Sequence, residues 1–178
     1  LAELPEIQEA GAGAESGFLR SLVTETDLLQ DVQELLETSI SPDASATFQD
    51  GGIIREGYSA ELDEVRATRD GARDFIAGLQ SRERERTKIS SLKVGFNKVF
   101  GYYLEVTRAN LDKVPEDYVR KQTLANAERY FTPELKEWEE KVFDAEDRMD
   151  KLEAGLFNEV RARVAAEVSR IQEAGGRA

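Results

Sequence analysis

Basic side chains are concentrated in one segment of an otherwise acidic chain. Residues 88–132 contain eight Lys and Arg against five Asp and Glu, a net charge of plus 3, whereas the rest of the chain carries minus 15. Lys and Arg bind phosphate groups, and acidic surroundings repel nucleic acid from the remaining surface. The segment is therefore a candidate for contact with a phosphate backbone, the alternative being that this charge is ordinary scatter. Its cations are spread over predicted strands and loops, so we expect contacts to phosphates rather than readout of bases.

The residue types of common catalytic and metal sites are absent or unsuitably placed. The sequence has no Cys and no His, which excludes disulfides, thiolate and imidazole metal sites, and Ser-His or Cys-His catalysis. It also has no G-x-x-x-x-G-K-[ST] phosphate loop. Glu139 and Glu140 are neighbours that point to different faces of a predicted helix, and Asp50-Gly51-Gly52 is typical of a turn rather than of a metal loop. We therefore expect no catalytic residue and no metal site in this chain.

A β-hairpin is predicted inside the basic segment. Apolar and polar residues alternate on both sides of the sequence KVFG, which is typical of two strands with one buried face. A second extended pair is expected in YVRKQTL and ERYFT. The basic side chains would then be carried by a small antiparallel β domain. The predicted inward-facing residues of the hairpin are Leu92, Val94, Phe96, Tyr102, Leu104 and Val106.

Long helices are predicted on both sides of this domain. The first runs from about Tyr58 to Arg86, and its end, SRERERTK, alternates in charge without an apolar face, so it is predicted to be solvated. The second begins at Thr132-Pro133-Glu134, an N-cap residue followed by a first-turn proline and acid, and is expected to run to Gly175-Gly176. Its apolar residues form a heptad seam typical of a coiled coil, comprising Leu135, Trp138, Val142, Ala145, Met149, Leu152 and Leu156.

These patterns predict an α+β fold, mostly α, in which a long antiparallel helical stalk carries the small β domain at its tip. Residues 1–57 are assigned to a helical core, since their short helices, including one in FLRSLVTETDLLQDVQELLETSI after the linker GAGAESG, need partners. Residues 58–88 form the outgoing helix and residues 132–178 the returning one. Residues 89–131 form the β-rich domain.

Composition also indicates the environment of the protein. No apolar run approaches the roughly 18 residues of a membrane span and no signal peptide precedes Leu1, so we expect no membrane partner and a cytoplasmic location. A start at Leu rather than Met suggests a fragment of a longer protein. The 16 Arg and 8 Lys face 36 acids, as expected of a protein that must stay hydrated in concentrated salt. A halophilic source is one hypothesis, and an ordinary acidic cytosolic protein is the alternative.

Several motifs carry a specific family resemblance. LKVGFNKVFGYYLEVTR, followed by YVRKQTLANAERYFTPELKEWEEKV, closely resembles the clamp region of the MutS family of DNA mismatch-repair proteins. DGGIIREGYSAELDEVR with RERERT resembles the approach to that family's lever helix. The match is nearly continuous from about Asp50 to Val142. It includes K-V-G-F-N, G-Y-Y, Q-T-L, N-A-E-R-Y and P-E-L-K-E in this order, which chance does not readily produce.

The resemblance implies that the chain is the DNA-binding clamp and lever portion of a larger, ATP-dependent mismatch sensor. In that family, paired levers from two subunits carry clamps that close around duplex DNA and touch its backbone without reading sequence. The implied partners are double-stranded DNA, a second MutS subunit and downstream repair factors. No cofactor is implied for this chain, whereas ATP and Mg are expected in the full-length protein, whose ATPase domain would lie outside these residues.

The resemblance also implies which residues contact the DNA backbone. The contacting loops of the family correspond to the hairpin turn and to RKQTLAN. Ala125 stands where many members have Lys or another polar residue, which removes one expected phosphate contact. The implied backbone-contacting residues are Asn97, Lys98, Arg108, Arg120, Lys121, Thr123 and Asn126.

A structural role is the alternative function. In that case the chain would be a coiled-coil stalk whose tip binds a protein and whose acidic helices dimerise. An enzymatic role for this chain ranks third because no nucleophile and base pair is available. Replacing Arg120 and Lys121 with Glu separates the first two, since a DNA clamp should lose DNA retention with an unchanged fold whereas a stalk should show no effect on DNA.

Overall fold

A computed structural model describes residues 1–44 and 51–177. Within this part of the chain the protein is mostly helical and carries a small four-stranded antiparallel sheet, which confirms the α+β prediction. The chain divides into two compact units, one formed by Leu1–Ala60 with Asp150–Ala178 and the other by Glu61–Met149. The predicted turn residue Asp50 lies outside the described residues.

Helices and strands follow one another in the order expected. Within residues 1–44 and 51–177, no helix combines the length and apolarity needed to cross a membrane. The elements are α1 (Leu4–Ala12), α2 (Gly17–Thr24), α3 (Gln30–Ser39), α4 (Ala60–Thr87), β1 (Lys93–Asn97), β2 (Gly101–Thr107), a 3₁₀ helix (Arg108–Lys113), β3 (Val119–Thr123), β4 (Ala127–Phe131), α5 (Pro133–Ala166) and α6 (Val168–Arg177).

In the first unit the helical segment after the GAGAESG linker is broken, although its spacing predicted continuity. Leu29 adopts the left-handed conformation, with φ of 52°, just before α3. The Asp27 carboxylate accepts a hydrogen bond from the Leu29 amide at 2.9 Å, and this local bond replaces a helical one. The break turns Leu29 inward, where it is buried with Val32 and Ala174 in the core of this unit.

The returning helix is also interrupted, and the expectation of one helix ending at Gly175-Gly176 is wrong. Glu167 separates α5 from α6, and its amide bonds to the Val164 carbonyl three residues back, which tightens the backbone there. α6 then continues through both glycines to Arg177. Neither glycine has positive φ, so neither forms the left-handed cap that ends many helices.

The second unit contains the sheet, with strand order β1-β2-β4-β3. One face of the sheet is buried against α4 and α5, and the predicted alternation is confirmed at Leu104 and Val106, which are fully buried. Phe96 of the edge strand β1 lies on the same face but is 48% exposed. The core of this unit consists of Ala72, Ile76, Leu79, Ile89, Leu92, Leu104, Val106, Tyr118, Tyr130, Leu135 and Val142.

The start of α5 and the end of α4 are each held in place by side-chain hydrogen bonds next to the sheet. As predicted, Thr132 caps α5: its hydroxyl accepts a hydrogen bond from the Leu135 amide at 3.0 Å. The end of α4 differs from the prediction, because Glu83 in SRERERTK is buried rather than solvated. Its carboxylate accepts hydrogen bonds from the Tyr118 hydroxyl and from Arg86, so this end of α4 is anchored to the sheet.

Candidate nucleic-acid interface

The sheet separates the predicted backbone-contacting residues into two groups. Asn97 at the end of β1 pairs with Gly101, whereas Thr107 at the end of β2 pairs with Ala127 at the start of β4. The β1–β2 turn and the β3–β4 turn therefore lie at opposite ends of β2. At about 3.4 Å per residue these ends are roughly 20 Å apart.

The first end carries Asn97 and Lys98. The Asn97 side-chain oxygen accepts hydrogen bonds from the amides of Val99 and Phe100 at 2.8 and 3.2 Å, which closes the turn. Lys98 is exposed, and within the described residues no ion pair holds it. Val99 is 81% exposed and Phe100 45%. This end therefore offers one cation in an apolar turn.

The opposite end brings three other predicted residues together. The Arg108 amide donates to the Asn126 carbonyl at 3.1 Å, and the Arg108 guanidinium lies 3.5 Å from the Leu124 carbonyl. The Leu124 amide donates to the Ala127 carbonyl at 2.9 Å, which closes a tight β3–β4 turn. Arg108, Asn126 and Thr123 are all exposed. Their cation, amide and hydroxyl are therefore all accessible at this end of the sheet.

Arg120 and Lys121 lie on the edge strand β3 and have partners inside the protein. The register shifts between Arg120 and Gln122, so Lys121 is the extra residue of a β-bulge. Its ammonium donates to the Tyr102 carbonyl at 3.3 Å. The Arg120 guanidinium lies 3.5 Å from the Glu128 carboxylate, yet remains 63% exposed. Of these two cations, Arg120 is the more available to a ligand.

Glu128 also sets the state of a neighbouring tyrosine. The Tyr130 hydroxyl donates a hydrogen bond to the Glu128 carboxylate. Burial, and secondly this bond to a negative group, raise the pKa of Tyr130 to about 12. Tyr130 therefore keeps its proton, and its hydrogen bond to Glu128, to a higher pH than an ordinary tyrosine would.

A cluster of polar side chains beside Arg108 was missed by the sequence reasoning. Ser91, Thr107, Asn110 and Lys113 are joined by hydrogen bonds at the same end of the sheet. Asn110 and Lys113 are three residues apart, a spacing that aligns side chains on a 3₁₀ helix. The spacing would have indicated this pair if the segment had been recognised as a 3₁₀ helix. Ser91 is 19 residues before Asn110, so only the tertiary structure brings it to the cluster.

Comparison with known proteins assigns the region that contains the sheet. Residues 57–148 match MutS family domain IV. The chain belongs to the MutS family. This result confirms the resemblance carried by the sequence motifs, and the matched MutS region includes all four strands and the 3₁₀ helix.

Curated MutS relatives match almost the whole chain. Proteins named DNA mismatch repair protein MutS are 53% identical over 176 residues in Pelotomaculum thermopropionicum, 52% over 174 in Desulforamulus reducens and 49% over 174 in Myxococcus xanthus. The alignments cover 97%, 97% and 98% of this chain. In each case they cover 20% of the relative. The chain therefore spans about one fifth of the length of the MutS proteins it matches.

Proposed function

We propose that this MutS chain is the DNA-binding clamp and lever module of a DNA mismatch-repair protein. The names of its relatives support a role in mismatch repair. The observation that carries the DNA-binding part is the meeting of Arg108, Thr123 and Asn126, all exposed, at one end of the sheet within the net-basic segment. Duplex DNA is the partner that fits a cation and neutral donors at such a surface.

The proposed contacts are to the DNA backbone. Arg108 can neutralise a phosphate, and the Thr123 hydroxyl and the Asn126 amide can donate hydrogen bonds to phosphate oxygens. Thr123 and Asn126 stand at the β3–β4 turn and Arg108 begins a short 3₁₀ helix, so none of them is on a long helix that could enter the major groove. Binding should therefore be independent of sequence, with Arg120 as a further phosphate contact. Asn97, Lys98 and Lys121 are the weaker members of the proposed set, because two have internal partners and Lys98 stands at the far end of the sheet.

The lever function is proposed for the two long helices. Residues 58–88 and 132–178 would serve as outgoing and returning levers, with residues 1–57 as part of a helical core and residues 89–131 as the clamp. Direct hydrogen bonds between the long helices and the sheet support this role, because a rigid connection transmits movement of a helix to the sheet.

Hydrogen bonds from both long helices form these junctions. Gln80 of α4 accepts a hydrogen bond from the Val94 amide at 3.0 Å, and Glu139 of α5 accepts one from the Tyr102 amide at 2.5 Å. Each helix therefore holds the backbone of one strand of the hairpin. A rotation of α4 would therefore move β1, and a rotation of α5 would move β2.

In the full-length protein, the clamp would be coupled to a distant ATPase domain. The present sequence has no phosphate loop of the G-x-x-x-x-G-K-[ST] type, so ATP and Mg are proposed to bind elsewhere in the full-length protein. A second MutS subunit would supply a second clamp, and two weak grips on one duplex would act together. Downstream repair factors are further proposed partners.

Fluorescence anisotropy of a labelled duplex tests the DNA-binding proposal. We expect weak binding that is equal for matched and mismatched duplexes and that falls linearly on a plot of log affinity against log salt. Arg108→Gln should reduce the slope of that plot by about 0.9, the loss of one phosphate contact. The matched control is Arg161→Gln, an exposed arginine of α5, which should leave the slope unchanged. Strong preference for a mismatch would contradict the proposal.

The structural stalk with a protein-binding tip remains the second candidate, favoured by the exposed apolar turn at Val99 and Phe100. Replacing Arg120 and Lys121 together with Glu separates the two functions by DNA retention. Because both cations have internal partners, circular dichroism must show that the double variant keeps its fold. An unchanged duplex affinity in a folded double variant would favour the stalk.

A further inference from the structure

Four polar side chains form a connected group, which we call the polar cluster, beside Arg108. The Ser91 and Thr107 hydroxyl oxygens are 3.3 Å apart, and the Asn110 side-chain amide donates to each of them at 3.2 Å. The Lys113 ammonium donates to the Asn110 side-chain oxygen at 3.1 Å. Arg108 follows Thr107 directly, so the polar cluster lies at the same end of the sheet as Arg108 and Asn126.

The orientation of Asn110 follows from its neighbours. A lysine ammonium can only donate, so the Asn110 atom that faces Lys113 must be the carbonyl oxygen. The amide nitrogen then faces Ser91 and Thr107 and gives one hydrogen to each. The reverse orientation would place two donors against each other.

Hydrogen counting shows that the polar cluster has donors to spare. The contact between Ser91 and Thr107 uses one hydroxyl hydrogen, which leaves the other without an acceptor among the described residues. Lys113 uses one of its three ammonium hydrogens on Asn110. The 3₁₀ helix adds one exposed acid, Asp112, against the two exposed cations Arg108 and Lys113. The polar cluster is therefore suited to an anion whose oxygens only accept hydrogen bonds.

The two cations stand at the two ends of the 3₁₀ helix. Arg108 and Lys113 are five residues apart on the 3₁₀ helix, and a rise of about 2.0 Å per residue separates their backbones by about 10 Å. With three residues per turn, side chains five residues apart point about 120° away from each other, so Lys113 would bind a different phosphate from the one that Arg108 binds.

We propose that the polar cluster binds a second phosphodiester of the same duplex, with Lys113 supplying the charge and the Ser91–Thr107 pair a hydroxyl hydrogen bond. This inference rests on the proposed function and adds a binding site to it. Asn110 holds the hydroxyls and the ammonium in place and serves as a positioning residue.

Salt-dependent anisotropy of the full 178-residue chain with a labelled duplex tests the inference. Lys113→Gln should lower affinity severalfold at low salt and reduce the log–log slope by about 0.9. Replacing both hydroxyls, Ser91→Ala with Thr107→Val, should lower affinity with an unchanged slope, since it removes the spare hydroxyl hydrogen of the pair without removing a charge. The matched control Lys151→Gln, an exposed lysine of α5 in the other compact unit, should change neither quantity.

The outcomes distinguish this inference from the proposed function. If Arg108→Gln reduces the slope and Lys113→Gln does not, the polar cluster is not a phosphate site and the proposed function stands. If the unaltered chain does not bind the duplex at all, both fail.

Chemical shifts give a second measurement that needs no variant. Amide signals of Asn110 and Lys113 should move together with that of Arg108 when duplex is added. Signals that respond instead to a polyglutamate peptide would assign the polar cluster to an acidic protein partner and overturn the inference.

Discussion

The Tyr118 hydroxyl donates a 2.7 Å hydrogen bond to the Glu83 carboxylate, which joins the last turns of α4 to the start of β3. Glu83 is 6% exposed and also accepts two hydrogen bonds from Arg86, at 2.8 and 3.1 Å. Arg86 in turn pairs with Asp117. A buried carboxylate is stable only with such partners. These bonds thus fix the start of β3, the strand that carries Arg120, against the end of α4.

Removing the Glu83 carboxylate should destabilise the protein more than removing one of its donors. Tyr118→Phe deletes a single hydrogen bond and leaves Glu83 paired with Arg86, so we expect a loss of about 1 kcal/mol in the free energy of unfolding. Glu83→Ala leaves the buried Tyr118 hydroxyl without an acceptor and should cost about 2–3 kcal/mol. Urea denaturation measures both.

The neighbouring exposed acid provides the control. Glu85→Ala, in the same helix, should change the free energy of unfolding by less than about 0.5 kcal/mol. If Glu83→Ala costs no more than Glu85→Ala, the buried network does not stabilise the helix end.

Stability should fall at alkaline pH because of two tyrosines. The pKa of Tyr130 is about 12, and burial together with the bond to Glu83 also raises the pKa of Tyr118. Tyrosines of the unfolded chain lose their protons near pH 10, so above that pH the folded state holds more protons than the unfolded state. The contribution of these two tyrosines to the free energy of unfolding is therefore fully present below pH 10. It decreases as pH rises towards 12, by up to about 1.4 kcal/mol per pH unit for each tyrosine.

Single and double phenylalanine variants test this dependence. Urea titrations at several pH values should show a shallower decline for Tyr130→Phe and a still shallower one for Tyr118→Phe with Tyr130→Phe. An alkaline decline that is the same in the double variant as in the unaltered protein would rule out these tyrosines as its cause.

Gly101 should not tolerate a side chain. Its φ is 74°, and a Cβ atom there would overlap the Glu139 carboxylate that accepts from the Tyr102 amide. The left-handed conformation alone costs about 1–2 kcal/mol for a residue with a Cβ atom, so Gly101→Ala should lower the free energy of unfolding by at least that amount. Thermal and urea unfolding measure it.

A glycine of α4 gives the opposite result for the same substitution. Gly71 has no neighbouring atom near its Cβ position, so Gly71→Ala should stabilise the helix by about 0.5–1 kcal/mol. Equal effects of alanine at Gly101 and Gly71 would show that the turn is not held in its left-handed form.

Salt should stabilise the fold while it weakens DNA binding. The chain has 36 acids and only 24 bases, so its excess negative charges repel one another, and added salt screens this repulsion. If the protein is adapted to concentrated salt, which is one of the two hypotheses drawn from its composition, its melting temperature should rise through a KCl series up to molar concentration. A fall in melting temperature with salt would count against that adaptation. At about 1 M salt the Debye length is about 3 Å, so the clamp would then hold DNA mainly by enclosing it.

Local patterns in the sequence determined the elements, because their causes lie within a few residues. Thr132 caps α5 as its position before Pro133 predicts, and the alternation in β2 correctly places Leu104 and Val106 inside. The motifs around the hairpin and RKQTLAN also sufficed for the family. One helix break was missed although its cause is also local, because the Asp27 carboxylate bonds to the Leu29 amide only two residues away and competes with the helical pattern.

The candidate site was decided by the tertiary structure. From sequence, Asn97 and Lys98 belong with Asn126 as one set of contacts, yet antiparallel pairing places the two turns at opposite ends of the sheet. Glu83 looked solvated because Tyr118 is 35 residues away along the chain. The family resemblance thus named the groups that are expected to bind a phosphate. Strand register decided which of them can do so together, since it depends on contacts between residues far apart in sequence.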